Sequence, residues 1–165
     1  MAKVSHDSET PALGQQVISV CAFIHHNFNG VEKLFMPKRA ATKKFMPDVF
    51  EIPGGHVDYG EDIVEGLKRE IKEELEMTVT VGDPFAAFTY LNEVKGSHSI
   101  EVIYFATFNE PVENIKTNPE DHSEFKWFSE EEFEDMLSEG KPADGQEVPY
   151  IKKGFAILRG ESLEM

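Results

Sequence analysis

Residues 54–77 read GGHVDYGEDIVEGLKREIKEELEM, and this stretch decides the fold. Its apolar side chains recur at helical spacing, which predicts a helix over residues 62–76. Three acids, Glu70, Glu73 and Glu74, lie along one edge of that helix. Like charges three and four residues apart repel one another, at a cost of about 0.2–0.5 kcal/mol per pair. A bound cation would offset that repulsion.

The acidic edge adjoins the buried face of the predicted helix, since a turn of about 100° per residue places it beside Leu67 and Ile71. Gly66 falls on the same edge, where a missing side chain lets another segment of the chain approach closely. The glycine-rich loop just upstream is the nearest such segment, and it can present carbonyl oxygens. Carboxylates and carbonyls form an all-oxygen ligand set, which suits Mg²⁺ or Mn²⁺ better than Zn²⁺.

Composition limits the class of protein. A chain of 165 residues predicts one domain. The net charge of −15 argues against binding long nucleic acid, yet divalent cations would still permit a small polyphosphate ligand. Cys21 is the only cysteine and sits in an apolar run, so we expect a small buried hydrophobe in a reducing compartment. No apolar run is long enough to span a membrane, and a cytoplasmic location is predicted.

The remaining chain predicts a flexible N-terminal arm over residues 1–15 and one domain over residues 16–160. Alternating or continuous apolar runs predict strands at 17–26, 31–38, 49–53, 78–94 and 97–110, the first two joined by an Asn29–Gly30 hairpin turn. Two further helices are predicted, one capped by Ser129 and one over about 146–158. Strands interspersed with helices indicate an α/β fold with a mixed sheet.

The same stretch resembles a known family signature. Gly55, five residues, Glu61, seven residues, the run REIKEE and then Glu76–Met77 resemble the Nudix box, GX5EX7REUXEEXGU, where U is aliphatic. The flanking segments FEIPGG and EDHSEFKWF also look like Nudix hydrolases. The resemblance implies the Nudix fold, an α/β/α sandwich with a mixed β-sheet.

The match departs from the box at Glu76, where the pattern has glycine. We expect the family glycine to end the helix in the left-handed conformation. A residue with a side chain there costs roughly 1 kcal/mol or moves the helix end by one residue.

The resemblance implies a Mg²⁺-dependent hydrolase that cleaves a diphosphate linkage in a nucleoside diphosphate derivative, with water attacking phosphorus. Glu70, Glu73, Glu74 and the carbonyl of Gly55 match the metal ligands of the family, and Mn²⁺ could replace Mg²⁺. Glu70 also matches the general base of some members. Arg69 is expected to orient Glu70, and the remaining box acid, Glu61, to pair with Arg69 or with a water.

Other family members draw the general base from a later loop. The candidates there are Glu120, Asp121 and Glu124, each of which could instead be a surface acid. His56 and His98 could contact phosphate, or could be neutral hydrogen-bonding residues.

Substrate contacts are expected from basic and aromatic residues. Arg39 is favoured for phosphate because its planar fork suits that group, and the patch around it is Lys38, Lys43 and Lys44. The alternative for this patch is a solvated loop. The aromatic candidates for stacking on a base are Phe45, Tyr59, Phe88 and Tyr90, with core packing as their alternative.

Substrate class follows by elimination, because the markers of several Nudix subgroups are missing. What remains is a MutT-like hydrolase of nucleoside triphosphates or similar small diphosphates. The expected partner is therefore a small nucleoside-diphosphate-linked substrate, and a homodimer is left open. The main alternative is an inactive Nudix-fold sensor that binds a nucleotide or sugar-nucleotide. A third interpretation is an acidic Ca²⁺-binding or scaffold protein.

Overall fold

The computed structural model describes residues 10–161, and the fold is built on one mixed β-sheet. The sheet has six strands in the order β4-β5-β1-β2-β6, with β3 paired to β1. The strands are β1 (Gln16–Phe28), β2 (Val31–Arg39), β3 (Gly54–His56), β4 (Val79–Asn92), β5 (Ser97–Phe108) and β6 (His122–Phe128). The helices are α1 (Ile63–Leu75), α2 (Glu130–Ser138) and α3 (Val148–Leu158).

Strand β1 organises the sheet, since three strands pair with it. It runs parallel to β5 and antiparallel to β2 and β3. The outer pairs, β4 with β5 and β2 with β6, are antiparallel. The predicted mixed sheet is confirmed.

Helices cover both faces of this sheet because side chains alternate along β1. Val20, Ala22 and Ile24 pack in one core with the apolar residues of α1. Phe23 packs in the other core with Phe133 of α2 and with residues of α3. This is the expected α/β/α sandwich, and it leaves the acidic edge of α1 beside the sheet.

The Asn29–Gly30 turn is confirmed as a two-residue hairpin, with Phe28 paired to Val31. Both central residues have positive φ, 52° for Asn29 and 93° for Gly30, as a type I′ turn requires.

Two predictions for the sheet are wrong. Residues 49–53 do not form a strand; only Phe50 makes bridges, and the strand lies at β3 instead. Pro53 has no N–H to donate, which disfavours a regular ladder there. Residues 122–128, read as part of a loop, form β6, whose partner is β2.

The N-terminal segment contacts the turn between β4 and β5. Ala12 N donates to Lys95 O at 2.7 Å, and Gly14 N donates to Gly96 O at 3.0 Å. Residues 1–9 of the expected arm lie outside the described residues, and the limits of the arm and of the domain stay a prediction.

Helix α1 ends at the one position that departs from the box. Glu76 takes the left-handed conformation, with φ 55° and ψ 28°, and its N–H donates to Lys72 O. The helix end has therefore not moved, and a residue with a β-carbon occupies a conformation that suits glycine.

We predict that Glu76→Gly raises the free energy of unfolding by about 1 kcal/mol, because glycine takes this conformation without steric cost. Urea denaturation monitored by circular dichroism measures the change. Lys68→Gly is the control: it lies exposed within the same helix, where glycine should destabilise by about 1 kcal/mol. Equal effects of the two substitutions would contradict the assignment of strain to Glu76.

Candidate active site

A cavity of about 270 Å³ opens beside α1 and β3. Residues of the box line one part of it, namely Gly55, His56, Glu70, Glu73 and Glu74. A second part is lined by Arg39, Lys43, Phe45, Glu51, Asp121 and His122. The remaining part contains Ser19, Cys21, Tyr90, Glu101, Asp144 and Glu147.

Arg69 holds the box acids together. Its guanidinium donates to both carboxylate oxygens of Glu61, at 2.7 and 2.9 Å, in the bidentate geometry that arginine favours. It also donates to Glu70 Oε1 at 2.9 Å and to Glu73 Oε2 at 3.3 Å. A fifth bond goes to the carbonyl of His56 at 2.9 Å, which ties the loop to the helix.

The loop crosses directly over the acidic edge. A β-carbon added to Gly55 of β3 would lie 2.5 Å from Glu70 Oε2, so a side chain at this position would have to displace the carboxylate that Arg69 holds. Gly66 provides space for the side chain of Glu61, since an added β-carbon would lie 2.8 Å from Glu61 Oε1. The close approach expected at Gly66 is therefore made by a side chain of the loop region, not by its backbone.

The three glutamates differ in their exposure. Glu70 is buried, whereas the side chain of Glu73 is more than half exposed. Glu74 Oε2 is buried and has no hydrogen-bond partner among the described residues. Burial, together with the carboxylates of Glu51 and Glu70, raises the pKa of Glu74 well above its ordinary value. A positive charge at this point would relieve both the desolvation and the repulsion.

These groups fit a hard divalent cation. The donors that line the cavity here are the carboxylates of Glu70, Glu73 and Glu74, and Glu74 supplies a buried oxygen without a hydrogen-bond partner in the described chain. The carbonyl of Gly55 stays a predicted ligand. Mg²⁺ or Mn²⁺ suits such a set.

Arg39 lines the cavity, but it contacts protein groups there. Its Nε donates to Phe45 O at 2.9 Å, and its Nη1 donates to Glu51 Oε2 at 3.3 Å. His122 Nε2 lies 3.2 Å from the same oxygen of Glu51. Burial tends to raise the pKa of Glu51, yet the bonds and charges of His122 and Arg39 outweigh it and lower that pKa. Arg39 thus holds an ionised carboxylate at the cavity wall.

Asp121 and Tyr90, both candidates from the sequence, also line the cavity. Lys43 Nζ lies 3.0 Å from Asp121 Oδ1, so this acid and its partner line the wall as an ion pair. The rings of Phe45 and Tyr90 lie nearly parallel, 12° apart in plane, with centroids separated by 6.3 Å.

Glu124 and Lys38, two candidates from the sequence, are not brought to the cavity. Glu124 lies exposed on β6, opposite Lys38 of β2, and neither residue is among those that line the cavity. Lys38 instead places its ammonium 5.7 Å from the ring of Phe50. The reason is that β6 is a strand, which pairs Glu124 with β2 and does not extend it over α1. We therefore set aside Glu124 as a general base and Lys38 as a phosphate contact.

Five further candidates from the sequence lie outside the lining of the cavity. Tyr59 is fully exposed, Phe88 stacks on Tyr150 at 4.3 Å, and His98 contacts Gln16. Lys44 and Glu120 are also absent from the described lining of the cavity.

Sequence reasoning missed a group of buried residues at this cavity. Cys21, Glu101 and Glu147, here named the cysteine–carboxylate cluster, have potential ligand atoms within 4.8 Å of one another. Cys21 Sγ donates to Glu101 Oε1 at 2.6 Å. Burial raises the pKa of Glu101 to about 8, and burial with nearby carboxylates raises that of Glu147. The burial of Glu101 could have been predicted from the sequence, because Glu101 occupies a core-facing position of the alternating strand β5.

Comparison with known proteins agrees with the box. A family model described as NUDIX domain matches residues 16–150. The chain belongs to the NUDIX family. It is accordingly a Nudix hydrolase, an enzyme that acts on phosphorus-containing anhydrides.

A relative described as an uncharacterized Nudix hydrolase from Nostoc is 27% identical, covering 78% of this chain and 75% of its own length. The MutT NUDIX hydrolase of Burkholderia pseudomallei superimposes with a TM-score of 0.67, at 20% identity over 84% of this chain and 97% of its own. The NUDIX domain of Shewanella oneidensis NrtR, solved with ADP ribose, gives a TM-score of 0.67 at 16% identity, covering 88% and 90%. Both structures show that the fold is shared.

Within residues 10–161, each helix is too short or too polar to cross a membrane. The cytoplasmic location and the homodimer stay predictions.

We predict that Arg69→Met lowers the free energy of unfolding by about 3 kcal/mol, because it leaves Glu61 and Glu70 partly buried without their cation. Urea denaturation at neutral pH measures the loss. The control is Lys68→Met, an exposed neighbour whose change should stay within about 0.5 kcal/mol. A loss for Arg69→Met no larger than that of the control would show that the network does not hold the loop on α1.

A second prediction concerns pH. The folded chain keeps Glu101 protonated up to a pH of about 8, whereas the unfolded chain ionises it near the ordinary 4.5. Glu101 therefore makes the wild type lose stability as pH rises between these two values. In Glu101→Gln this loss disappears, so the variant should gain about 2–4 kcal/mol relative to the wild type between pH 5 and pH 8.

Denaturation curves at the two pH values measure this gain. The exposed Glu113→Gln is the matched control and should keep the pH dependence of the wild type. A Glu101→Gln variant with the same pH dependence as the wild type would contradict the buried, protonated state.

Proposed function

We propose that this Nudix hydrolase is Mg²⁺-dependent and cleaves a diphosphate linkage in a nucleoside di- or triphosphate derivative, through attack of water on phosphorus. A MutT-like nucleoside triphosphate pyrophosphohydrolase is the favoured form. One observation carries the proposal: Arg69 gathers the box acids beneath Gly55, beside a Glu74 oxygen that lacks any partner in the described chain.

Glu70, Glu73, Glu74 and the Gly55 carbonyl would hold Mg²⁺, with Mn²⁺ as a substitute. When bound, such an ion neutralises phosphate charge and lowers the pKa of bound water. The protein supplies the ligands at little cost of rearrangement, because Arg69 already fixes Glu70 and Glu73.

A proton must leave the attacking water, and two described acids could accept it. Glu70 is buried and oriented by Arg69 Nη1, which keeps Glu70 Oε1 occupied and turns the carboxylate toward the cavity. Asp121 also lines the cavity, paired with Lys43. Glu70 is the favoured base because its carboxylate is held by a charge-assisted bond at the closest approach of loop and helix.

Positive groups for the diphosphate are few. Lys43 and Arg39 are the Lys and Arg side chains that line the cavity, and Arg39 is already bonded to Glu51. Eight Asp and Glu side chains share the lining, and those that are ionised, such as Glu51, would repel the substrate phosphates without a divalent cation. This balance of charge supports metal dependence and a small substrate.

The alternative function is a sensor that binds a nucleotide or sugar-nucleotide without turnover. The NrtR domain solved with ADP ribose shows that the fold can bind such a ligand. The complete acid set argues for hydrolysis in this chain, because a binding domain has no need to keep three repelling glutamates on one helix edge.

We predict that Glu73→Gln or Glu74→Gln lowers kcat by about 10²-fold or more with little change in fold, because each removes a charged ligand. The assay is chromatography of products from a panel of nucleoside triphosphates and nucleoside diphosphate derivatives with Mg²⁺. Glu65→Gln is the matched control, since Glu65 lies exposed in the first turn of α1 and outside the cavity.

Equal activity of the wild type and both variants at saturating Mg²⁺ would refute the assignment. No product from any compound, together with measurable nucleotide binding, would favour the sensor. An acidic Ca²⁺-binding or scaffold protein would show neither hydrolysis nor nucleotide binding.

A further inference from the structure

Glu51 lines the cavity but belongs neither to the Nudix box nor to the cysteine–carboxylate cluster. Its backbone N–H donates to Pro37 O of β2 at 3.0 Å, which fixes its position beside that strand. Its side chain is only 17% exposed, so the carboxylate has lost most of its contact with water. A buried carboxylate is costly unless hydrogen bonds or charges stabilise it. The proposed metal site makes no use of Glu51.

Two neighbouring side chains keep Glu51 ionised. Arg39 Nη1 donates to Glu51 Oε2 at 3.3 Å, and His122 Nε2 lies 3.2 Å from the same oxygen. Burial tends to raise the pKa of Glu51, but the bonds and charges of His122 and Arg39 lower it below its ordinary value. The Glu51 carboxylate is therefore a fixed negative charge at neutral pH.

The charge of Glu51 acts at both ends of the cavity. Burial is the main cause of the raised pKa values of Glu74, Glu101 and Glu147, and the negative charge of Glu51 contributes to each of them. Glu74 belongs to the box, whereas Glu101 and Glu147 belong to the cysteine–carboxylate cluster. A charge that acts on both groups must also act on an anion that enters between them.

The basic residues of the cavity are paired with acids. Arg39 and Lys43 are the Arg and Lys side chains in its lining. Arg39 is bonded to Glu51, and Lys43 Nζ lies 3.0 Å from Asp121 Oδ1. Both acids line the cavity themselves, so neither pair presents a net positive charge to a ligand. A polyphosphate must therefore separate such a pair or bring its own cation.

We propose that Glu51 is a specificity-determining residue, which excludes phosphate-containing anions from the cavity unless a divalent cation accompanies them. Asp121 adds to this exclusion through its pair with Lys43. The inference rests on the proposed function, because it concerns the substrate of the same cavity, and it names that substrate as the metal complex of a nucleotide. Inorganic phosphate, pyrophosphate and metal-free nucleotides are then poor ligands, so they do not compete with the substrate.

A purely structural role is the alternative for Glu51, since its carboxylate could serve only to hold Arg39 and His122 in place. The two roles predict different effects when the charge of Glu51 is removed. Loss of a structural carboxylate would lower stability without strengthening the binding of anions. Loss of an excluding carboxylate would strengthen that binding, because the repulsion disappears and Arg39 can pair with the ligand.

The test measures binding of inorganic pyrophosphate by isothermal titration calorimetry, after divalent cations have been removed with a chelating resin. Glu51→Gln keeps the size of the side chain and one carbonyl acceptor but removes the charge. This variant should bind pyrophosphate about tenfold or more tightly than the wild type, because a negative charge is lost from a partly dehydrated cavity. Asp121→Asn should give a smaller gain, about threefold or more, because Asp121 is more exposed than Glu51.

Two control variants accompany these measurements. Glu51→Asp keeps the charge, so its affinity for pyrophosphate should stay within about threefold of the wild type. Glu113→Gln removes an exposed charge outside the cavity and should stay within about twofold. Thermal unfolding of each variant shows whether it is folded. If Glu51→Gln does not fold, the result for Asp121→Asn decides.

Pyrophosphate affinity within about twofold of the wild type in both Glu51→Gln and Asp121→Asn would overturn the inference. So would a gain in Glu51→Asp as large as that in Glu51→Gln, because the charge would then not be the cause. Hydrolysis assays with Mg²⁺ separate this inference from the proposed function. The expected gains without hydrolysis of any anhydride by the wild type would leave the exclusion of anions standing and overturn the proposed catalysis. Hydrolysis by the wild type without a gain in either variant would do the reverse.

Discussion

The site depends on one guanidinium group. Arg69 bonds to Glu61, Glu70, Glu73 and the carbonyl of His56, and so joins helix α1 to the loop that precedes it. Without this guanidinium, the carboxylates of Glu61, Glu70 and Glu73 would repel one another. The repulsion would act at the point where Gly55 comes close to Glu70. Strand β1 pairs with β3 and so fixes the strand that contacts the helix at this point.

Charge is distributed unevenly around the cavity, and each carboxylate is stabilised in a different way. Glu51 stays ionised through Arg39 and His122, whereas burial raises the pKa of Glu101 and Glu147. Glu74 has no hydrogen bond to Oε2 within the described chain, and burial with the nearby carboxylates raises its pKa despite the charge of Arg39. Some of these carboxylates are therefore stabilised by protein groups, whereas others are candidates for contact with a ligand. A cavity with both kinds can hold a charged group and a neutral polar group side by side.

Much of this could be predicted from local sequence. Helical periodicity located α1, and the order of Gly55, Glu61, Arg69 and the glutamates identified the family, because these contacts lie within one short segment. The features that could not be predicted from the sequence arise from contacts between residues far apart in the chain. Cys21 was correctly expected to be buried, but its apolar neighbours gave no sign of Glu101 eighty residues away. Strand β6 was missed although Phe125 and Trp127 alternate with polar residues, because the family resemblance suggested a loop there that could supply the general base.

The two parts of the cavity are carried by different elements of the fold. All three box glutamates lie on α1, whereas Cys21 and Glu101 lie on paired strands of the sheet and Glu147 precedes α3. Substitutions on the sheet can therefore accumulate without moving the helix that bears the acids. Such a division allows descendants of one ancestor to diverge in what they recognise while they retain one chemistry.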